Sequence, residues 1–198
     1  NYAFHAQRGY LTACPTNVGT GLRVSVMMHL PGLVLTQQAG RLFHHLAQLG
    51  LVVRGLYGEG TEATGNIFQV SNQTSLGKSE EEIVENLEAV VAKVIETERQ
   101  ARQHLLTESR LQIEDRVGRA YGILSSARVI STEEAMRLLS DVRFGIAAGM
   151  FPHLTQQTLN ELMVAMQPAF LQKLEGHELN PLDRDVRRAT MIRTRMAK

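Results

Sequence analysis

The chain has 198 residues, enough for one sizeable domain or two small ones, and its 43% hydrophobic content with no Trp calls for a core of aliphatics and Met. Its 21 Lys and Arg almost balance 20 Asp and Glu, which excludes a polyanion binder or an acidic tail as the character of the whole chain. The single cysteine, Cys14, excludes an internal disulfide framework and a Cys-rich zinc site, and no apolar run approaches the roughly 20 residues of a membrane span.

The chain opens at Asn1 without Met and without a signal-peptide pattern, directly in structured-looking sequence. An upstream region is therefore expected to be missing, and a reducing cytoplasm is the expected compartment. Asn1 to Ser75 reads as strands and loops around one helix. Leu22 to Leu30 (LRVSVMMHL) is apolar with β-branched residues, which predicts a strand stopped by Pro31 and Gly32. Thr36 to Leu49 has Ala39, Leu42, Phe43, Leu46 and Leu49 at helical spacing, with Gly50 as the stop. Leu51 to Val53 and Asn66 to Ser71 read as short strands, and the glycine-rich stretch Gly55 to Gly65 between them as a loop.

From Ser79 the pattern turns helical. Ser79 and Glu82 form an S-x-x-E capping box, and Ile83, Leu87, Val90, Val91, Val94 and Ile95 continue it as an apolar stripe toward His104. Further helices are predicted at Ser109 to Ser126, after a second capping box (Ser131 and Glu134), and at Thr155 to Leu174. A last one follows Asn180-Pro181, where Asn suits the N-cap and Pro the first helical position. The expected fold class is α+β, with an α+β half over residues 1–98 and an all-helical half over residues 99–198. Ala135 to Met150 has two apolar faces, which suits burial against neighbouring helices or a partner subunit, and a homodimer is the expected assembly.

The most informative segment is Cys14-Pro15-Thr16-Asn17-Val18-Gly19-Thr20-Gly21-Leu22-Arg23. Such a constrained polar loop exposes backbone N–H groups, and a thiol beside those donors and an Arg has its thiolate favoured. The glycines let a phosphate approach, and the guanidinium binds oxyanions bidentately. On these residues alone the loop is either an anion site or a structural turn carrying a small buried Cys. CPTNVGTGLR resembles the signature around the reactive cysteine of the phosphagen kinases, the creatine and arginine kinase family. The resemblance continues through Val24-Ser25-Val26, Leu30-Pro31, Arg54-Gly55, Gly58-Glu59, Thr61-Glu62-Ala63, Val70-Ser71-Asn72 and Leu76-Gly77.

The resemblance implies that residues 1–98 are the C-terminal part of a phosphagen-kinase catalytic domain, an antiparallel sheet flanked by helices. Cys14 is then expected to contact a substrate guanidinium, and Glu59 to face it from a lid loop; these two are the expected catalytic residues. Arg23 and Arg54 are expected to hold ATP phosphates. The nucleotide-binding segments implied are Arg23, Val24, Ser25, Val26, Met27 and Arg54, Gly55, Leu56, Tyr57, Gly58, Glu59. ATP is the expected cofactor, with Mg²⁺ held through the nucleotide and no protein metal ligands, since no Cys/His spacing suggests any. Met27 stands where many members place a histidine against the adenine, so that contact is expected to be rearranged. The family's upstream glutamate and arginines lie outside this chain, and the fragment is expected not to turn over alone.

Small-guanidine phosphagen kinases end soon after the helix that starts near Ser79. The continuation from Ser109 to Lys198 resembles the C-terminal domain of the bacterial protein-arginine kinases, whose substrate is arginine within a protein. Pro181 to Lys198 carries six basic residues (Arg184, Arg187, Arg188, Arg193, Arg195, Lys198) against Asp183 and Asp185. Arg184-Asp185-Val186-Arg187-Arg188-Ala189 matches that family's R-D-x-x-R-A motif, which the resemblance links to phosphoarginine. Arg184 and Arg188 share a helix face, while Leu182, Val186, Ala189 and Ile192 are expected to pack inward. Two guanidinium forks can hold a phosphate, and Asp185 a phosphoarginine guanidinium; a solvated basic helix end is the plain alternative.

The expected function is transfer of the ATP γ-phosphoryl group to exposed arginines of protein substrates. By the resemblance this marks them for a Clp-type protease under stress, with an activator protein as a further partner. The alternatives are a phosphoarginine-binding or oligomerisation module and a free-arginine kinase. No membrane partner is expected, and a net charge of +1 disfavours nucleic acid.

Overall fold

The structure, a computed structural model, describes residues 2–56 and 63–197. The expectations for Tyr57, Gly58 and Glu59 therefore lie outside the described residues. The chain divides into two compact units, Asn1–Gln103 and His104–Lys198. The first is α+β and the second is helical.

In the first unit, β1 (Phe4–His5) and β2 (Gly9–Tyr10) form a small antiparallel hairpin. β3 (Ser25–His29), β4 (Leu51–Gly55) and β5 (Ile67–Asn72) form an antiparallel sheet in the order β3-β5-β4. The register sets Met27 opposite Gln69 and Gln69 opposite Arg54, with Ser25, Ser71 and Val52 in the next row. Opposed residues share a face and successive residues alternate. One face therefore carries Met28, Phe68, Val70 and Leu51, which pack with Leu33, Phe43, Leu46, Leu87 and Val94 into the core. The other face carries Ser25, Met27, Arg54, Gln69 and Ser71.

Pro31 ends the strand as expected and also starts a short helix, α1 (Pro31–Leu35), because the fixed φ of Pro suits a first helical position. Thr36 belongs to the end of α1, donating its hydroxyl to Gly32 O at 2.8 Å. Gln37 then takes φ 59, so α2 spans Ala39–Gln48 and does not begin at Thr36. Gly50, at φ 75, supplies the left-handed turn into β4. α3 (Glu80–Glu108) opens on the capping box, with Glu82 N donating to Ser79 Oγ at 3.1 Å and Ser79 N to Glu82 Oε2 at 2.7 Å. Without Gly or Pro it runs past His104. Its buried Glu98 accepts from Gly32 N (2.8 Å) and Leu33 N (2.9 Å), satisfying two of the orphan donors of α1. A Cβ at position 32 would lie 3.0 Å from the backbone N of Arg102, so glycine is what lets α1 and α3 approach.

The second unit packs α4 (Arg110–Ser126), α5 (Thr132–Ala147), α6 (Gln156–Ala165), α7 (Pro168–Glu175) and α8 (Pro181–Met196). α5 is its central helix: Ala135, Met136, Leu138, Leu139, Val142 and Phe144 are all buried, which accounts for its two apolar faces. The single helix expected over Thr155 to Leu174 is two, α6 and α7. Pro168 lacks an N–H and holds Gln167 extended at ψ 147, so the helix cannot pass through. α8 begins as read, with Asn180 Oδ1 accepting from Asp183 N at 2.9 Å and Pro181 following. Its inward face is only partly the expected one: Ala189 and Ile192 pack inward, Leu182 and Val186 do not. Arg188, Ala189, Ile192 and Met196 are buried, whereas Leu182 and Val186 are 62% and 41% exposed. Among the described residues, no helix is long and apolar enough to cross a membrane.

Candidate active site

Cys14 is exposed and heads a single 3-10 turn, Pro15–Asn17. Its carbonyl accepts from the Thr12 hydroxyl (2.7 Å) and from Asn17 N (3.0 Å), which fixes the turn. Behind it, Tyr10 N donates to Gly19 O at 2.7 Å and Gly19 N to Tyr10 O at 3.2 Å, while the Ser75 hydroxyl donates to Val18 O at 3.1 Å. Gly19 sits at φ 113, and a Cβ there would lie 2.6 Å from Ser75 O. The loop is thus pinned between the β1–β2 hairpin and the chain after β5, and only glycine permits that approach.

Cys14 Sγ lies 3.0 Å from Thr16 Oγ1. The Thr16 hydroxyl first, then the Thr16 backbone N–H, hold the thiol below the ordinary cysteine range; the Arg23 charge acts in the same direction and burial against it. The thiolate therefore persists to lower pH than that of free cysteine. Thr16→Val is expected to move the midpoint of a pH–alkylation profile of Cys14 upward, toward the ordinary thiol. An unshifted midpoint would show that Thr16 does not set the ionisation.

The polar face of the sheet holds the expected arginines. Exposed Arg54 at the β4 edge shares a row with Gln69 and half-exposed Met27, and exposed Arg23 lies just before β3 on the same face. Arg23 Nη2 donates to Ser71 Oγ at 3.0 Å, and Gln69 Nε2 to Ser25 Oγ at 2.8 Å. Val24 and Val26 point the other way and pack against the core, so only their backbone can face a ligand. Gly55 ends β4, and Leu56 closes the base of the 57–62 segment by donating to Ile67 O (2.9 Å) and accepting from Thr64 N (3.2 Å). A cleft of about 250 Å³ runs beside β3, with Met27, His29, Val91, Ile95 and Arg99 in its wall. Two exposed guanidinium groups on one sheet face suit the phosphates of a nucleotide, although neither lines this cleft.

In the second unit the expected phosphoarginine segment is built around a buried guanidinium. Arg188 is 1% exposed and donates from Nε to Met166 O (3.0 Å) and from Nη1 to Ile130 O (2.9 Å) and Asp185 Oδ1 (2.5 Å). Asp185 is therefore engaged with Arg188, and Ala189 is buried beside it. Half-buried Arg184 donates to Leu179 O at 3.2 Å, and Arg187 pairs with Glu175. Arg184 and Arg187 hold the more accessible guanidinium groups of the segment.

The family model described as ATP:guanido phosphotransferase, C-terminal catalytic domain, matches residues 1–101 of the 198. The chain belongs to the ATP:guanido phosphotransferase family. A second model, the protein-arginine kinase McsB C-terminal domain, matches residues 110–198. A protein-arginine kinase of Symbiobacterium thermophilum is 74% identical over 196 residues, covering 99% of this chain and 56% of the relative. Those of Moorella thermoacetica and Bacillus subtilis are 59% and 58% identical, with 56% and 54% of their own length covered. The chain thus spans about half the length of the curated relatives it matches. A crystal structure of lombricine kinase aligns with 50% of this chain and 26% of its own at a TM-score of 0.43 and 38% identity.

The motifs alone did not single out the residues that support Arg23 and Cys14. Thr16, Ser71 and Asn72 all lie within the blocks that carried the resemblance, and Gln69 just before one of them. The partners of Ser71 and Asn72 are about 50 residues away along the chain, so spacing could not assign their roles, whereas Thr16 lies two residues from Cys14.

Proposed function

We propose that this chain is part of an ATP-dependent protein-arginine kinase and supplies the nucleotide phosphate contacts and the thiol that meets the acceptor guanidinium. The observation that carries the reading is the polar sheet face, where Arg23 and Arg54 stand exposed and Ser71 holds the Arg23 guanidinium. In the transfer, a guanidinium nitrogen of the substrate arginine forms a bond to the γ-phosphorus. The bond to the β–γ bridging oxygen breaks, and its electron pair leaves with ADP. Charge on the phosphoryl oxygens is met by Arg23 and Arg54, and positioning with positive charge does most of the catalysis. The Cys14 thiolate and the Glu59 carboxylate hold the cationic acceptor in line, with Glu59 taking its proton. Mg²⁺, carried by the nucleotide, neutralises phosphate charge.

For the second unit the same reading assigns phosphoarginine recognition to the segment Arg184, Asp185, Arg187, Arg188 and Ala189, with Arg184 and Arg187 offering the accessible guanidinium groups and buried Arg188, paired with Asp185, and Ala189 forming its frame. A cytoplasmic homodimer acting with an activator protein and a Clp-type protease in the stress response is the biological setting that the family resemblance suggests. The test uses the full-length protein with Mg-ATP and a mixed protein substrate. The product is read by phosphopeptide mass spectrometry without acid, because the P–N bond is acid-labile. Phosphate on protein arginine is expected, falling on the order of a hundredfold or more in Glu59→Ala. Phosphate on free arginine alone would make this a metabolite kinase and overturn the proposal.

A further inference from the structure

Arg23 lies outside the regular ladder: β3 begins at Ser25, and β5 ends at Asn72. Nothing in strand pairing itself therefore sets where its guanidinium points. Two adjacent residues at the end of β5 hold it from both sides. Ser71, 1% exposed, has its hydroxyl on the polar face and accepts from Arg23 Nη2 at 3.0 Å. Asn72, 9% exposed, has its side chain on the opposite side, as alternation requires. There its Oδ1 accepts from Val24 N at 2.8 Å, and its Nδ2 donates to Leu22 O at 3.0 Å and Thr74 O at 3.4 Å. The amide orientation is dictated by its partners, since only the oxygen can face the Val24 N–H and only the nitrogen the two carbonyls. Asn72 N also donates to Val24 O at 3.3 Å. The side chain of Asn72 thus extends the ladder one step beyond the strand and clamps the residues on either side of Arg23.

We infer that Ser71 and Asn72 are positioning residues that fix Arg23 for the nucleotide phosphates, Asn72 through the backbone of Leu22 and Val24 and Ser71 through the guanidinium. The inference rests on the proposed phosphate role of Arg23. A guanidinium already held in place has less side-chain freedom to lose when the nucleotide binds, so the consequence falls on nucleotide binding and not on the acceptor.

The experiment measures steady-state kinetics of the full-length kinase with Ser71→Ala, Asn72→Ala, Arg23→Ala and the double variant Ser71→Ala/Arg23→Ala, with melting temperatures alongside. Ser71→Ala is expected to raise KM for ATP on the order of tenfold or more, the effect of losing one hydrogen bond to a charged group, with KM for the protein substrate and the melting temperature unchanged. Asn72→Ala is expected to do the same with some loss of stability. In the Arg23→Ala background, Ser71→Ala is expected to add nothing, because it acts only through Arg23. If Arg23→Ala raises KM for ATP but Ser71→Ala leaves it unchanged, or multiplies it equally in both backgrounds, the positioning role is overturned. If Arg23→Ala itself leaves KM for ATP unchanged, the phosphate role of Arg23 fails, which is a separate result.

Discussion

Arg188→Ala is expected to lower the melting temperature of the helical unit by more than about 12 °C, the consequence of removing a buried guanidinium from two buried carbonyls and a half-buried carboxylate, at roughly 3–5 kcal/mol in a unit of this size. The fully buried guanidinium joins three places far apart in sequence: the end of α6 at Met166 O, the α4–α5 connection at Ile130 O, and Asp185 one turn earlier on α8. Alanine leaves two buried carbonyls and a carboxylate without their donor, and a cavity where the arginine side chain packed. Arg188→Lys is expected to recover little, because one ammonium cannot reproduce a fork that serves acceptors in divergent directions. Arg184→Ala should behave differently. Its side chain is half-buried with one bond to Leu179 O, so melting should change little. A phosphoarginine peptide that stops binding to Arg184→Ala at unchanged melting temperature would mark a binding role there. Loss of binding in Arg188→Ala alone would report only a collapsed frame. Thermal unfolding followed by circular dichroism decides it, and an Arg188→Ala protein that melts like the parent would refute the keystone role.

Glu98→Ala is expected to be the most damaging change in the first unit, at about 3–5 kcal/mol, because it strips a buried carboxylate from three donors at once. Glu98 is 5% exposed, and besides Gly32 N and Leu33 N it accepts from Arg102 Nε at 2.5 Å. Arg102 in turn donates to His29 O at 3.0 Å, so the pair links α3 to the start of α1 and the end of β3. With alanine at 98, the first turn of α1 keeps its partial positive charge with no acceptor. Glu98→Gln should fall between, since its one carbonyl oxygen can accept from one backbone N–H while its amide nitrogen faces the other. Urea unfolding of the three proteins gives the order. A Glu98→Ala protein within about 0.5 kcal/mol of the parent, the range of an ordinary surface change, would show that α1 is capped by other means.

Much of the local structure was legible from residue order because its causes are local. The Ser79–Glu82 capping box, the Ser131 N-cap, the Asn180-Pro181 start and the glycine stop at position 50 each depend on residues within one turn of one another, and each occurs where it was read. Where the reading of elements departed, a single residue was underweighted. Pro168 divides α6 from α7, and Pro31 starts a helix as well as ending a strand. The face of α8 was legible in part: Arg188, Ile192 and Met196 recur every four residues, a stripe that points to burial once arginine is allowed to belong to it.

By itself, then, the sequence determined the α+β and helical character, several helix ends and the family, all of which rest on neighbours in the chain or on short motif blocks. Tertiary structure alone decided which arginine of α8 is buried, which residues hold Arg23, and that Val24 and Val26 turn to the core while Ser25 and Met27 turn to the site. The physical reason is the same in each case. Groups distant in sequence must meet: the buried charge of Arg188 is tolerable only where distant carbonyls complete its hydrogen bonds, and exposed Arg23 is oriented by a distant hydroxyl. Those partners, Met166 and Ile130 for Arg188, or Ser71 for Arg23, are brought within reach only by the packed fold.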